Sequence, residues 1–125
     1  MQPNSVRPAE VVSLHPYFKV HPGQLDAFRA LIDRFIERTS TEEACLYYDF
    51  TIQDDIVHCR EAYVGAAGAL GHITNVGDLL DEAATIADLE RLEIHGAAAE
   101  LDQMREPLAA INPLWFVFEK GLDKA

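Results

Sequence analysis

Apolar and polar side chains alternate along residues 11–20, VVSLHPYFKV, which is the pattern of a β-strand with one buried face. The positions expected on that face are Val12, Leu14, Phe18 and Val20. Pro16 interrupts the run, and because proline lacks a backbone N–H it favours an edge strand or a bulge here. The His-Pro-Gly sequence that follows is typical of a turn leading into a helix.

The period changes to that of a helix over residues 25–38. One stripe of this segment is apolar and consists of Leu25, Phe28, Leu31, Ile32, Phe35 and Ile36. The opposite side is mostly charged and carries Asp26, Arg29, Asp33, Arg34, Glu37 and Arg38. The pattern predicts an amphipathic helix that buries one face.

Two β-rich runs, residues 45–52 and 56–63, flank Asp54-Asp55 and predict a hairpin with a two-residue turn. Counting outward from the turn fixes the register of the two strands. On one face the predicted pairs are Ile52 with Val57, Phe50 with Cys59, Tyr48 with Glu61, and Leu46 with Tyr63. On the other face they are Thr51 with His58 and Asp49 with Arg60. The opposite charges of this last pair support the register.

The rest of the chain predicts a Gly-rich helix from residue 65, a second short helix, and a strand over residues 87–96 whose first half also fits a helix. A further helix is predicted over residues 97–111, and the aromatic run 113–121 predicts a closing strand. The order β-α-β-β-α-β describes a ferredoxin-like α+β fold, in which an antiparallel sheet carries helices on one face.

The second face of this sheet has no predicted helix to cover it. Tyr47, Ala62 and Trp115 are expected there, and His15 lies on the same side because its parity is opposite to that of Leu14. A small sheet with such residues on its free face favours cover by a second subunit.

The net charge of the chain is −11, from 10 Lys and Arg against 21 Asp and Glu. Nucleic acids and anionic membrane surfaces bind clustered cations, so neither is an expected partner. No apolar run approaches the roughly 20 residues of a membrane-spanning helix. Residues 1–10 lack the apolar core of an export signal, and they are predicted to be a flexible arm before a single domain over residues 11–125. We therefore expect a cytoplasmic protein, with Cys45 and Cys59 as free thiols in the core.

Glu61 falls on the apolar face of the predicted hairpin, beside Tyr48 and Tyr63. The pattern leaves two interpretations open. Glu61 is either a strand-end residue that reaches solvent or a backbone N–H, or it is a carboxylate inside a pocket.

The Gly-rich helix places His72 at the flank of its apolar stripe, with Gly65 and Gly68 on the same side. Because Gly is a poor helix former, this bare surface has a purpose, which is either to admit a ligand or to let another backbone approach. An imidazole titrates near neutral pH, so His72 suits a general base or a hydrogen-bond donor to a phenol or enol. No HxH or HExxH spacing occurs, and no metal site is predicted.

Three ordered segments resemble the antibiotic biosynthesis monooxygenase domain family: FKVHPGQLDAF, EACLYYDFTI and REAYVGAAGALGH. Members of this family show a Glu-x-Trp strand end with a His eleven residues after the Glu. Glu61, Tyr63 and His72 have that spacing, and Cys45 and Tyr48 match the Cys and Tyr of the family's second strand. The resemblance extends over about residues 11–120.

This resemblance implies a ferredoxin-like homodimer whose two sheets form an α/β barrel, with a pocket between each sheet and its helices. In members that are enzymes, oxygen reacts with an activated aromatic substrate in the absence of metal and flavin, so no cofactor is expected. The implied catalytic residues are His72 and Glu61. A small hydrophobic or aromatic molecule is the implied partner, in contact with Tyr48, Tyr63 and Phe50.

The chain also departs from the family. Tyr63 replaces the usual Trp, and Pro16 stands where haem-degrading relatives have an Asn, so haem degradation is not expected. The predicted function is that of a cofactor-independent monooxygenase or related oxidoreductase on a small aromatic, quinol or polyketide-like substrate. Two alternatives stay open, which are a non-catalytic dimeric module that binds a small hydrophobic metabolite and an isomerase.

Overall fold

The computed structural model describes residues 10–123, so most of the arm predicted over residues 1–10 lies outside the described part. The strands are β1 (Val11–Val20), β2 (Cys45–Gln53), β3 (Ile56–Val64), β4 (Ala87–Gly96) and β5 (Leu114–Val117). The helices are α1 (Leu25–Thr39), α2 (Gly65–Asn75), α3 (Gly77–Ala84) and α4 (Ala98–Asp102), and Ala109–Ile111 forms a 3-10 turn. Within residues 10–123, no helix combines the length and the apolarity needed to cross a bilayer.

The five strands form one sheet in the order β2-β3-β1-β4-β5. The pairs β2–β3, β3–β1 and β1–β4 are antiparallel, while β5 pairs with β4 in parallel. The predicted ferredoxin-like α+β fold is therefore confirmed, and the helical alternative for the first half of β4 is wrong.

β1 lies in the centre of the sheet, between β3 and β4, and not at an edge. The register against β4 shifts between Tyr17 and Phe18, directly after Pro16. The bulge interpretation of this proline is confirmed and the edge-strand interpretation is wrong. Pro16 itself still pairs with Leu92 of β4, while the paired positions with β3 skip His15 and Pro16, which is where a residue without an N–H is tolerated.

The hairpin of β2 and β3 turns at Asp54-Asp55 and has most of the predicted register. The pairs of Ile52, Phe50 and Tyr48 with β3 are those that counting from the turn gives. The pair of Leu46 with Tyr63 is wrong, because a bulge near the start of β2 shifts the register and brings Cys45 opposite Tyr63. Leu46 is consequently exposed.

The helices cover one face of the sheet over two clusters of core residues. The first cluster, under α1 and α3, includes Phe28, Leu31, Phe35, Val57 and Leu79. The second, under α2 and α4, includes Val12, Tyr63, Ile94, Leu101 and Met104. The predicted apolar stripe of α1 is buried at its centre, but Ile36 is 46% exposed and does not belong to the core.

Trp115 was predicted on the free face of the sheet, and this is wrong. It pairs with Ile94 of β4, which points toward the helices, and it packs against the second cluster. The guanidinium of Arg105 lies 4.9 Å from the centre of its ring, a cation–π contact that holds it on the helix side.

The free face carries a cluster of aromatic rings. Tyr47 and Ala62 form a pair there as predicted. The ring of His15 lies 4.5 Å from that of His95, whose ring stacks at 4.6 Å on Phe116. Partial burial, followed by the neighbouring histidines, lowers the pKa of His15. The homodimer expected from the family resemblance would cover this face and stays a prediction.

Gly68 lets α2 approach the start of β2 closely. A Cβ atom at this position would lie 2.9 Å from the Cβ of Ala44 and 3.3 Å from that of Tyr63, while a Cβ at Gly71 would meet nothing within 4 Å. Of the two purposes that the sequence left open for the glycine, close packing is the one that the structure supports. Gly65 has a different purpose, since it begins α2 with φ of 75°.

We expect Gly68→Ala to destabilise the protein by about 1–3 kcal/mol, because the added methyl overpacks a contact that consists of Cβ atoms. Gly71→Ala is the matched control in the same helix, and it should stabilise the protein by about 0.5–1 kcal/mol through helix propensity. Urea denaturation of the two variants measures this difference. Equal effects at both positions would show that close packing at Gly68 is unimportant.

Candidate active site

Glu61 is a carboxylate buried inside the protein, at 4% exposure on the helix-facing side of β3. The hydroxyl of Tyr63 donates a hydrogen bond of 2.6 Å to its Oε1 atom. Burial raises the pKa of Glu61 to about 7, against the opposing effect of hydrogen bonds from Tyr63 and Cys59. Of the two interpretations open from the sequence, the pocket carboxylate is the one that the structure supports.

His72 lies opposite Glu61, on α2. Its Nε2 atom is 3.2 Å from Oε1 of Glu61, and its Nδ1 atom is 2.9 Å from Oε2 of Glu42. Burial lowers the pKa of His72, while Glu42 opposes this shift. The predicted position at the flank of the apolar stripe is wrong, because Ala66, Ala69 and His72 together form the buried side of α2.

Glu42 completes the site, and the sequence did not indicate it. It lies in the connection between α1 and β2, and its side chain is 12% exposed. The side-chain amide of Asn75 donates a 2.8 Å hydrogen bond to it, and the Arg38 guanidinium donates one of the same length to the backbone carbonyl of Asn75. Glu42 and His72 are 30 residues apart, so no local spacing connects them.

The order of these contacts fixes the roles of the two imidazole nitrogens. A carboxylate only accepts hydrogen bonds, so Glu42 holds the proton on Nδ1 of His72. Nε2 then faces Glu61 without a proton and is able to accept one from it. The residues Glu42, His72, Glu61 and Tyr63 thus form a continuous series of polar contacts. Glu42 is hydrogen-bonded to His72 and Tyr63 to Glu61, and Nε2 of His72 lies 3.2 Å from Oε1 of Glu61.

A cavity of about 90 Å³ lies between the sheet and the helices, with Glu61 and His72 on its wall. Tyr48 and Phe50, two of the predicted substrate-binding residues, line it as well. Tyr63, the third predicted substrate-binding residue, is fully buried and does not belong to the cavity wall. The remaining wall is apolar and includes Leu14, Pro16, Phe18, Phe35, Cys59 and Val76.

Tyr48 is the aromatic residue nearest to the histidine in this wall, with its ring edge-on to that of His72 at 5.1 Å between centres. Burial raises the pKa of the Tyr48 phenol, so it acts as a neutral group. Cys59 is buried as predicted, while Cys45 is only partly buried, and both are free thiols. Burial also raises the pKa of Cys59, which makes it a poor nucleophile.

The arrangement provides acid–base chemistry. A carboxyl group with a pKa near 7 is present in both protonation states at neutral pH, which is the condition for an efficient general base. Within residues 10–123, no cluster of three or more His, Cys, Asp or Glu side chains is arranged to hold a metal ion.

The fold occurs in other solved structures. Two solved structures named "putative antibiotic biosynthesis monooxygenase" have this fold. The one from Chloroflexus aurantiacus J-10-fl has a TM-score of 0.59 and 18% identity, and the match covers 70% of this chain and 93% of that one. The one from Nitrosomonas europaea has a TM-score of 0.63 and 17% identity, and covers 74% and 94% respectively. The protein thus has the fold of the antibiotic biosynthesis monooxygenase domain, as its three sequence segments indicated.

A solved structure with higher identity narrows the class to a family. MupZ from Pseudomonas fluorescens is 40% identical, with a TM-score of 0.89, and the match covers 92% of this chain and 95% of MupZ. The chain belongs to the same family as MupZ. No protein-family model and no curated protein sequence gives a significant match.

We expect Glu42→Gln to lower kcat by about tenfold or more, the factor equivalent to one charged hydrogen bond of about 1.5 kcal/mol. The negative charge of Glu42 also raises the pKa of Glu61, so the variant should move the acidic limb of the pH–rate profile to lower pH. Glu43→Gln, an exposed neighbour, is the matched control. A lower rate with an unmoved limb would contradict an electrostatic role for Glu42.

Proposed function

We propose that this protein is a cofactor-independent acid–base enzyme that acts on a small, mostly apolar substrate carrying an acidic hydroxyl or C–H group. The observation that carries the proposal is a carboxyl group with a raised pKa at the wall of an apolar cavity, in contact with an imidazole. A titratable pair of this kind in an apolar cavity is typical of catalysis.

In the proposed mechanism, the Glu61 carboxylate takes a proton from the substrate. The proton passes from Glu61 to Nε2 of His72, and the imidazolium that forms is stabilised by Glu42 at Nδ1. In this proposal the phenol of Tyr48, which lines the cavity and is neutral because of its raised pKa, donates a hydrogen bond to the substrate oxyanion. The apolar wall excludes water, which strengthens each of these interactions.

The proposed reaction class is monooxygenation, in line with the fold and the names of the two structures above. The substrate carbanion or enolate transfers electrons to O₂ directly. A CH₂ group then becomes a carbonyl, which takes one oxygen atom, while the other leaves as water. Suitable substrates for this step are anthrones and polyketide-like compounds with an enolisable CH₂ group. A quinol has no such group, and it would instead lose two electrons and two protons to O₂, giving the quinone and hydrogen peroxide.

A redox-neutral proton transfer, such as an isomerisation, is the second candidate. It is favoured by the 3.2 Å contact of Glu61 with His72, because one group is able to remove a proton while its partner returns one. This reaction needs the same base but no oxygen.

Oxygen uptake with a panel of anthrones and hydroquinones tests the proposal, using protein treated with a chelator. Uptake with the anthrones that is lost in both Glu61→Gln and His72→Ala supports monooxygenation, provided that it is kept in Glu90→Gln, which changes an exposed glutamate of β4. Anaerobic exchange of substrate protons with D₂O that depends on Glu61, without oxygen uptake, supports isomerisation. Ligand binding with neither activity would overturn both and leave a non-catalytic binding module.

A further inference from the structure

A second groove adjoins the catalytic cavity. Its volume is about 390 Å³, against about 90 Å³ for the cavity. Five side chains line both spaces: Phe18, Ile73, Leu80, Leu89 and Ile111. The two spaces are therefore adjacent and share these apolar side chains as a common wall.

The groove is built from α3, β4 and the segment that contains the 3-10 turn. Leu89 and Ile111 belong to this common wall, although they are 43% and 48% exposed. Large apolar side chains that remain exposed at the mouth of a cavity lose water contact when a ligand covers them, and this favours binding of an apolar ligand.

We propose that the substrate carries an elongated, uncharged, apolar tail, which lies in this groove while its reactive end reaches Glu61. The identity of the reactive end rests on the proposed function, but binding of the tail does not require turnover. The shared wall selects a ligand as the occupant, because one molecule that moves these side chains aside is able to fill both spaces.

Charge restricts the class of tail. The cavity ends at Glu61, and the lining of the groove includes one other charged side chain, Asp81. A carboxylate at either end of the ligand would face an acidic residue, in a chain whose net charge is −11. A neutral aliphatic chain with an oxygenated end fits both spaces.

The test uses straight-chain primary alcohols from 1-butanol to 1-dodecanol as probes, with binding measured by NMR titration of backbone amides. Affinity should increase by about fourfold for each methylene buried, and this increase should continue beyond the length that fills the small cavity. Short alcohols should shift the amides of Tyr48 and His72 only, whereas long alcohols should also shift those of Ala84 and Ile111. Sodium decanoate should bind more weakly than 1-decanol.

Ala84→Trp is the blocking variant, because Ala84 lines the groove but not the cavity and is exposed. It should lower the affinity for 1-decanol at least tenfold and leave that for 1-butanol unchanged. Ala99→Trp, at an exposed position of α4 outside both spaces, should change neither.

Affinity that stops increasing at short alcohols would overturn the proposal, as would equal loss for both probes in Ala84→Trp or equal binding of decanoate. A lower sedimentation mass of Ala84→Trp would also overturn it, since a second copy of the chain would then occupy the groove. If the alcohols do not bind in this way but turnover still depends on Glu61, the proposal for the groove fails and the proposed function stands. If alcohol affinity increases with chain length but no turnover is found, the proposal for the groove stands and the proposed function fails.

Discussion

Glu61→Gln is expected to lower kcat by about 10²–10⁴-fold, the usual contribution of a general base. Gln is close to Glu in size, and its amide oxygen still accepts the hydrogen bond from Tyr63. What it loses is the capacity to take a proton from the substrate. The fold should be unaffected, so the loss of rate reports chemistry and not unfolding.

The pH dependence of kcat/KM separates this role from a merely structural one. Wild-type activity should rise with pH through about 7, because the base must be ionised and burial raises the pKa of Glu61 to about 7. Since Glu61 and His72 are in contact, the apparent pKa belongs to the pair. Glu61→Gln should lose this limb, whereas Glu90→Gln should keep it. If the residual activity of Glu61→Gln has the same pH dependence as the wild type, the group that titrates near pH 7 is not Glu61.

The strands were predictable from the sequence because a short turn determines a register. Asp54-Asp55 fixes the pairing outward as far as Tyr48 with Glu61, and this places Glu61 on the side of the helices. The prediction fails where a bulge inserts a residue, at Leu46, because nothing in the alternation of apolar residues marks it. The prediction for Trp115 is wrong for a related reason. A short edge strand has too few residues for its pattern to show which of them point to each face of the sheet.

The helix side of the site was predictable only in part. The family resemblance, in which Glu61 and His72 have the expected spacing, implied a pocket, but the buried side of α2 is set by how Gly68 packs against Ala44, which is a long-range contact. Glu42 was missed for the same reason. It precedes β2 in a connection between elements, and only the folded chain brings it to His72. Such partners become visible when the tertiary structure is known, because hydrogen bonds between distant segments leave no periodic pattern.

The stability of the protein should also report the burial of Glu61. The pKa of this carboxyl is raised from 4.5 to about 7 on folding. Between these values the folded protein holds a proton that the unfolded chain has already lost, so the free energy of unfolding falls as pH rises through this window. The difference of about 2.5 units corresponds to at most about 3 kcal/mol at pH above 7. Glu61→Gln removes this ionisation, and the variant should gain stability relative to the wild type by up to that amount.

His72 acts in the opposite direction, because its pKa is lowered on folding and its contribution to stability increases with pH up to 6.5. The two effects therefore partly cancel in the pH dependence of the wild-type free energy of unfolding. The quantity to measure is the difference in this free energy between Glu61→Gln and the wild type. Urea denaturation from about pH 5 to about pH 8 gives this difference, and it should grow through the window and level off above pH 7. Glu90→Gln should run parallel to the wild type throughout. A constant difference for Glu61→Gln would show that burial does not raise the pKa of Glu61, and the raised pKa that carries the proposed function would then be absent.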